Sequence, residues 1–277
     1  MFLHRVKGPL LTIAIMAASL AGAYAQPANI GSTAARRFTG EKLVYEGKIS
    51  KMKLSFSVAE LTFTATDAPG GDLLIKAEAV SKGTLISLFR YSFLQQINSN
   101  VDLDEFRASK TEKHDVQKER VRDSEAVFDY DQKRVTFVET DPKDTMRAPR
   151  RIASKISDPS YDLVSAIYYL RLQDLAVGRK FDIEVSDSGL VYRIPVTVTG
   201  KEKRSTTIGR VDCWKVEPQI FGEGRLIDRD GQLIIWITAD ERRVPVAAKI
   251  DAGIGTINVK LKEYSGARTA ELAAVAK

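Results

Sequence analysis

Apolar and polar residues alternate along most of this chain, and that alternation limits what it can fold into. The clearest example lies near the end, where Ile257, Val259 and Leu261 are separated by polar residues. A period of two is typical of a β-strand with one face buried and the other in water. The pattern starts at Glu41 and recurs in about ten or eleven segments joined by short turns, so the sequence predicts a mainly β protein.

A sheet with this many strands must protect its edges. Strands that follow one another through short turns form antiparallel meanders, and a long meander has to curl, split or close. We therefore expect a strongly curved antiparallel meander or incomplete barrel, built as a single β-rich domain from residues 41–264. One all-β domain of roughly 200 to 250 residues is common.

Three segments depart from simple alternation. The apolar phase slips by one residue between 54–58 and 61–65, which predicts a β-bulge near Ala59 and Glu60. The segments 125–130 and 134–139 are joined by three polar residues and predict a hairpin. Residues 105–123 are crowded with charge, so we expect any strands there to be edge strands or mostly exposed.

One helix interrupts the β pattern. Asp158 is a suitable N-cap and Pro159 suits the first helical position, while Leu163, Ile167 and Leu170 recur at helical spacing. Gly178 follows the expected end of the helix. We expect this helix to cover the mouth or the concave face of the curved sheet.

The N-terminus predicts export. Arg5 and Lys7 precede an apolar run of about a dozen residues, and Ala23-Tyr24-Ala25 forms a small-residue cleavage site. We interpret residues 1–25 as a signal peptide, cleaved after Ala25, that directs the chain to the periplasm. The run is short for a membrane span, so the cleaved protein is not expected to span the membrane. Residues 26–40 are then a flexible linker and 265–277 a C-terminal tail.

The charge argues against a nucleic-acid-binding protein, and the cysteine content argues against a protein held together by an intramolecular disulfide. The formal net charge is +6, two units of which come from Arg5 and Lys7, and this small excess does not favour nucleic-acid binding. The single cysteine, Cys213, has no partner for an intramolecular disulfide. Its apolar neighbours Val211, Trp214 and Val216 predict a small core residue.

Motifs of catalysis, cofactor binding or metal binding are not found in the sequence. His114 is the only histidine after the leader, whereas a zinc site normally needs several His or Cys ligands. A nucleophile elbow, a P-loop and a dinucleotide fingerprint are missing. The carboxylate pairs Asp102 with Asp104 and Asp228 with Asp230 have a spacing that is more typical of Asx-turns. We therefore assign no catalytic, cofactor or metal residues and expect a protein that is not an enzyme.

Two clusters of basic residues remain. The first precedes the expected helix N-terminus, where an anion or a lipid head group could be held, and comprises Lys143, Arg147, Arg150, Arg151 and Lys155. Solubility is the alternative role for this cluster. The second, between 110 and 122, is interleaved with acidic residues and predicts a solvated face.

Three segments carry a family resemblance: Gly40–Tyr45, Tyr161–Arg171 and Ile235–Val246. With them, the chain resembles the exported bacterial proteins grouped as the DUF3108 domain family over nearly all of residues 40–264. The resemblance implies a Gram-negative periplasmic protein with a curved β-rich fold. It implies no activity, so no functional residue is carried over.

These observations favour a non-enzymatic envelope protein whose curved sheet holds an apolar or amphiphilic molecule, such as a lipid or the acyl part of a lipoprotein, under the helix. An interaction or scaffold module that contacts an envelope protein partner is the alternative. A hydrolase acting on envelope polymers is a third class, and it would need two facing carboxylates from separate strands.

The leader gives a first testable prediction. When the full chain is expressed in a Gram-negative host, the protein in the periplasmic fraction should begin at Gln26, which intact mass and N-terminal sequencing both measure. Ala25→Arg, which removes the small residue before the cut, should block processing. A periplasmic or membrane-bound chain that still begins at Met1 would contradict the prediction.

Overall fold

The computed structural model describes residues 35–51, 54–83, 87, 90–251 and 255–266. The predicted signal peptide and nearly all of the predicted tail lie outside these residues. The described part of the predicted linker, 35–40, belongs to the fold, because Ala35 and Phe38 are buried. The ring of Phe38 meets Tyr168 edge-on, with 5.0 Å between the ring centroids.

The described residues form one antiparallel sheet of fourteen strands. Strands that are neighbours in sequence pair with each other, except β8 and β9, and β1 also pairs with β14, so β8 and β9 are the two edges. The strands are β1 Glu41–Lys51, β2 Leu54–Asp67, β3 Leu73–Ser81, β4 Phe93–Asp102, β5 Arg107–Gln117, β6 Arg120–Asp129, β7 Arg134–Thr140, β8 Arg150–Lys155, β9 Lys180–Asp187, β10 Leu190–Thr206, β11 Gly209–Pro218, β12 Gln232–Thr238, β13 Pro245–Asp251 and β14 Thr256–Ser265.

This arrangement confirms a mainly β, antiparallel meander but corrects its size. The prediction of about ten or eleven strands missed β5, β8 and β9. Of the two alternatives predicted for the charged segment, the edge position is wrong, because β5 pairs with both β4 and β6, while most of its side chains are partly exposed. Cross-strand ion pairs replace apolar side chains there: Lys110 Nζ lies 2.8 Å from a carboxylate oxygen of Glu125 on β6.

Two local predictions are confirmed. Gly47 of β1 lies opposite Ala59 and the next residue, Lys48, lies opposite Ser57, so Val58 is the extra residue of a bulge beside the predicted position. The predicted hairpin of β6 and β7 forms, with Asp129 opposite Arg134, but its connection has the four residues 130–133 instead of three.

The helix, α1, spans Leu163–Leu172, so the predicted N-terminus was wrong, whereas Gly178 does lie past the end of the helix. Its N-cap is Asp162 rather than Asp158, because Asp162 forms a reciprocal capping box with Ser165. The Asp162 carboxylate accepts hydrogen bonds from the backbone N–H groups of Val164 and Ser165, at 2.7 and 3.0 Å. The helix ends well before Gly178, at the C-cap Gln173.

Helix α1 lies against the concave face of the sheet, as predicted. None of its residues is exposed, which is typical of a helix that is surrounded by protein. Its buried residues share one core cluster with inward side chains from both halves of the sheet, among them Ile75 of β3 and Val196 of β10. Within the described residues, no helix has the length and apolar run needed to cross a bilayer.

The β1–β14 pairing divides the sheet into two arms, one of strands β1–β8 and one of strands β9–β14. The N-terminus of α1 connects these arms. The second carboxylate oxygen of Asp162 accepts hydrogen bonds from the hydroxyls of Ser99 on β4 and Thr111 on β5. The preceding residue, Tyr161, forms a parallel bridge with Val185 of β9. The start of the helix is therefore attached to interior strands of one arm and to the edge strand of the other.

The C-terminus of α1 is attached by a buried ion pair. The Arg171 guanidinium donates two hydrogen bonds of 2.6 Å to the carboxylate of Glu41 at the start of β1. Its Nε donates to the carbonyl of Arg243 in the β12–β13 turn, at 2.9 Å. Burial alone would lower the pKa of Arg171, but the Glu41 carboxylate outweighs that effect and raises it above its ordinary value.

The two edge strands do not pair with each other, and a turn fills the space between them. Gly189, in the β9–β10 turn, packs against Phe137 of β7 and Ile152 of β8. Its carbonyl accepts a 2.6 Å hydrogen bond from the Ser154 hydroxyl of β8. The sheet is therefore open and strongly curved. The outer ends of its two arms contact each other through side chains and the β9–β10 turn instead of through a backbone ladder.

The ion pair leads to a stability prediction. Glu41→Ala leaves the Arg171 charge buried and unpaired, so the free energy of unfolding should fall by about 3 to 5 kcal/mol in urea denaturation. Glu202→Ala is the matched control, because Glu202 pairs with Arg204 at 2.7 Å on the surface. That variant should lose less than about 1 kcal/mol. Equal losses in the two variants would contradict the role given to the buried pair.

The β9–β10 turn leads to a second stability prediction. Gly189 has a φ of +82°, and a Cβ there would lie 2.7 Å from Phe137 Cβ and 2.8 Å from Ile152 Cβ. Gly209 has a φ of +103° with no atom within 4 Å of its added Cβ, so Gly209→Ala reports backbone strain alone. Gly189→Ala should destabilise the protein by about 1 to 3 kcal/mol more than Gly209→Ala, because it also overpacks the contact. Equal unfolding midpoints of the two variants would show that the β9–β10 turn does not pack against β7 and β8.

Candidate functional site

An apolar cavity of about 310 Å³ lies between α1 and the sheet. Leu163, Ala166, Ile167 and Leu170 line it from the helix side. Side chains of β1, β2 and β9–β14 line the sheet side, and Ile220 and Leu226 of the β11–β12 loop also contribute. The cavity thus lies where strands from distant parts of the chain converge.

The lining of this cavity carries no charged side chain. Apart from Tyr45 and Tyr168, every lining residue is aliphatic, proline or phenylalanine. The Tyr45 hydroxyl donates a 2.8 Å hydrogen bond to the carbonyl of Pro245, and burial raises the pKa of Tyr45 above its usual range, so it stays neutral. Such a lining can shelter hydrocarbon.

A polar groove of about 460 Å³ adjoins the cavity at the ends of β11 and β12. The two spaces share Pro218, Ile220 and Leu233 as lining residues. The polar lining of the groove comes from β9–β12 and the β11–β12 loop, and comprises Lys180, Thr197, Thr199, Glu217, Gln219 and Gln232. A molecule with an apolar and a polar part could therefore contact both.

The charges in the groove are unequal. Glu217 lies 2.9 Å from Lys215 and accepts hydrogen bonds from Thr199 at 2.8 Å and Gln232 at 3.0 Å. Burial opposes the charge of Glu217, but the contacts with Lys215 and Thr199 outweigh it and lower the pKa of this carboxyl group. Lys180 is exposed and has no ion pair within the described ranges. The groove therefore has one uncompensated positive charge.

The basic cluster predicted from the sequence lies elsewhere. Arg150, Arg151 and Lys155 are on the edge strand β8, and Lys143 and Arg147 are in the loop before it. Three of these residues are already engaged: Lys143 donates to the Glu119 carbonyl at 2.8 Å, Arg147 lies 3.9 Å from Asp141, and the Arg150 guanidinium lies 5.8 Å from the centroid of the Phe137 ring.

None of the five lines the cavity or the groove. The sequence predicted that this cluster could hold an anion near the N-terminus of the helix. In the structure, the Asp162 carboxylate already caps that N-terminus. Contact between this cluster and an anion or head group remains a prediction.

The remaining polar candidates have structural partners. His114 Nδ1 lies 2.5 Å from a carboxylate oxygen of Asp123 on the neighbouring strand. Asp102 accepts the backbone N–H of Asp104 at 2.9 Å, which is the predicted Asx-turn. Among the described residues no group of three or more His, Cys, Asp or Glu could hold a metal ion. Cys213 is buried, as predicted, and burial raises the pKa of its thiol to about 11.

The sequence interpretation placed Leu163, Ile167 and Leu170 on the covering helix, and all three line the cavity, but it missed the lining residues of β9. Phe181, Ile183 and Val185 alternate with polar residues and could have identified β9, and thereby Lys180 as the start of a strand. The cavity itself had no such signal, because its lining comes from strands far apart in the sequence.

Comparisons with known proteins agree on the fold. A crystal structure of a beta-barrel-like protein of domain of unknown function DUF1849 from Brucella abortus is similar to this chain, with a TM-score of 0.60 and 10% sequence identity. The similarity covers 83% of this chain and 98% of that chain. At this identity the likeness concerns the fold alone.

No curated protein sequence matches the chain significantly. The model of the DUF3108 family, whose members are described as proteins of unknown function, matches residues 45–262. Because this match covers well over half of the sequence, the chain belongs to the DUF3108 family.

Proposed function

We propose that this protein is an exported, periplasmic, non-enzymatic binder of an apolar or amphiphilic envelope molecule, a lipid or the acyl chain of a lipoprotein. The observation that carries the proposal is the cavity of about 310 Å³ whose lining has no charged side chain. Its size falls within the range of roughly 300 to 1,000 Å³ that is usual for ligand pockets. Export is supported by the leader sequence of residues 1–25.

The energetics of the cavity favour an occupant. The space is partly open, so its apolar lining faces water when no ligand is bound. A hydrocarbon bound there would remove this lining from water, which is favourable by about 25 cal/mol per Å² of buried apolar surface. A bound hydrocarbon restores the missing dispersion contacts without introducing an unsatisfied polar group.

The test fills the cavity with side chains. Ala166 on α1 and Ala248 on β13 both line it, and Ala166→Leu combined with Ala248→Leu adds six carbon atoms. Since a cavity of roughly 150 Å³ accommodates benzene, the double variant should occupy about half of the space. Its affinity for the neutral apolar dye N-phenyl-1-naphthylamine, measured by fluorescence titration, should fall at least about tenfold.

Ala153→Leu is the matched control. Ala153 lies exposed on β8, away from the cavity, so this variant should bind the dye like the wild type. Native mass spectrometry of the wild-type protein purified from the periplasm should show a retained lipid. Unchanged dye binding in the folded double variant, or the lack of both dye binding and retained lipid in the wild type, would refute the proposal.

A second candidate function is an interaction module, which the edge strand β8 favours. β8 pairs only with β7, and Arg150, Arg151 and Lys155 along it are exposed, so an acidic partner could add a strand there. The same titration separates the two hypotheses. Neutralising Arg147, Arg150 and Arg151 should leave dye binding unchanged if the cavity is the site, and should abolish capture of a partner if β8 is.

A further inference from the structure

The part of the sheet that separates the cavity from the polar groove, formed by β11 and β12, contains a split between these two strands. The ladder of β11 and β12 covers only Cys213–Val216 and Ile235–Thr238. β11 continues to Pro218, paired only with β10. β12 begins at Gln232, paired there only with β13. Beyond Val216 and Ile235 the two neighbouring strands therefore diverge, and the hydrogen bond between Gln232 and Glu217 is a side-chain contact across the split.

The residues at this split line both spaces. Pro218 and Leu233 lie on the facing ends of β11 and β12, and Ile220 begins the loop that joins these strands. Pro218 has no backbone N–H to continue a ladder, which suits the point where the strands separate. An apolar chain could thus pass from the groove into the cavity without breaking a backbone hydrogen bond of the β11–β12 ladder.

The size of the cavity restricts the ligand. By comparison with benzene in a cavity of roughly 150 Å³, about twelve carbon atoms fit into 310 Å³. One medium-length acyl chain meets this limit, whereas the two chains of a phospholipid exceed it. Because the lining holds no charged side chain, the head group has to stay outside the cavity.

The groove determines the charge of that head group. Lys180 of β9 lies opposite Thr197 of β10, and Thr197 lies opposite Glu217 of β11, so the three form one cross-strand row. Glu217 is compensated by Lys215, which leaves Lys180 as the unpaired cation of the groove within the described residues. The hydroxyl of Thr197 is a suitable donor to an anion in the same groove, whereas that of Thr199 already donates to Glu217.

We propose that the cavity takes the single acyl chain of an anionic amphiphile, which enters through the split between β11 and β12 and leaves its carboxylate or phosphate beside Lys180. This inference rests on the proposed function and adds the chain number, the head-group charge and the route. The groove is a different place from the basic cluster on and before β8.

The experiment uses three ligands with the same chain: laurate, 1-lauroyl-glycerol 3-phosphate and the neutral 1-lauroylglycerol. Displacement of N-phenyl-1-naphthylamine from the mature protein measures the affinity of each. Lys180→Glu should weaken both anionic ligands by about tenfold or more, because a charge-assisted contact is replaced by repulsion. The neutral ligand should change by less than about twofold, since the apolar cavity is intact.

Lys203→Glu is the matched control, because Lys203 is an exposed lysine of β10 that lies outside the groove. It should change no affinity by more than about twofold. Tighter binding of laurate than of the phosphate ligand identifies a fatty-acid carboxylate as the head group, and the reverse order identifies a phosphate.

Two failures are distinguishable. If all three ligands bind and Lys180→Glu affects none of them, or if Lys203→Glu weakens the anions equally, this inference is overturned while the proposed function stands. If none of the three ligands displaces the dye, the proposed function fails as well.

Discussion

The buried pair of Arg171 and Glu41 is the contact on which the interior of this protein depends. It joins the last turn of α1 to β1, the strand at which the two arms of the sheet meet, and Arg171 also holds the β12–β13 turn through backbone carbonyls. Its charges are shielded from water, so removing either partner would leave the other without compensation. The helix therefore cannot shift along the sheet without breaking this contact.

The opposite end of α1 is fixed in a similar way by Asp162. One carboxylate satisfies the first N–H groups of the helix and also receives hydroxyls from β4 and β5. With both ends attached, the helix holds a defined distance from the strands beside it. The space that remains on the side of β12–β14 is a consequence of this geometry, since a single helix with small side chains such as Ala166 cannot fill a sheet of fourteen strands.

Several parts of the fold were predictable because their causes are local. The one-residue slip in apolar phase located the bulge at Val58, and the turn residues 131–133 located the β6–β7 hairpin. The strand β5 was not predictable in this way, because its stability comes from ladders on both sides and from cross-strand ion pairs. The helix start was misplaced because Asp158 and Asp162 are both good N-caps, and only Asp162 has Ser165 three residues later.

The sequence by itself determined a mainly β chain that must curve, because alternation gives each strand one apolar face and such faces have to be buried together. It also predicted one helix that covers the mouth or the concave face of the sheet, and it showed the family resemblance. Only the tertiary structure decided that the interior is partly hollow, that the β11–β12 wall is split and that Lys180 stands beside the split. These features arise where residues far apart in the chain converge, and the alternation of one strand contains no information about the distance to a helix on the opposite side.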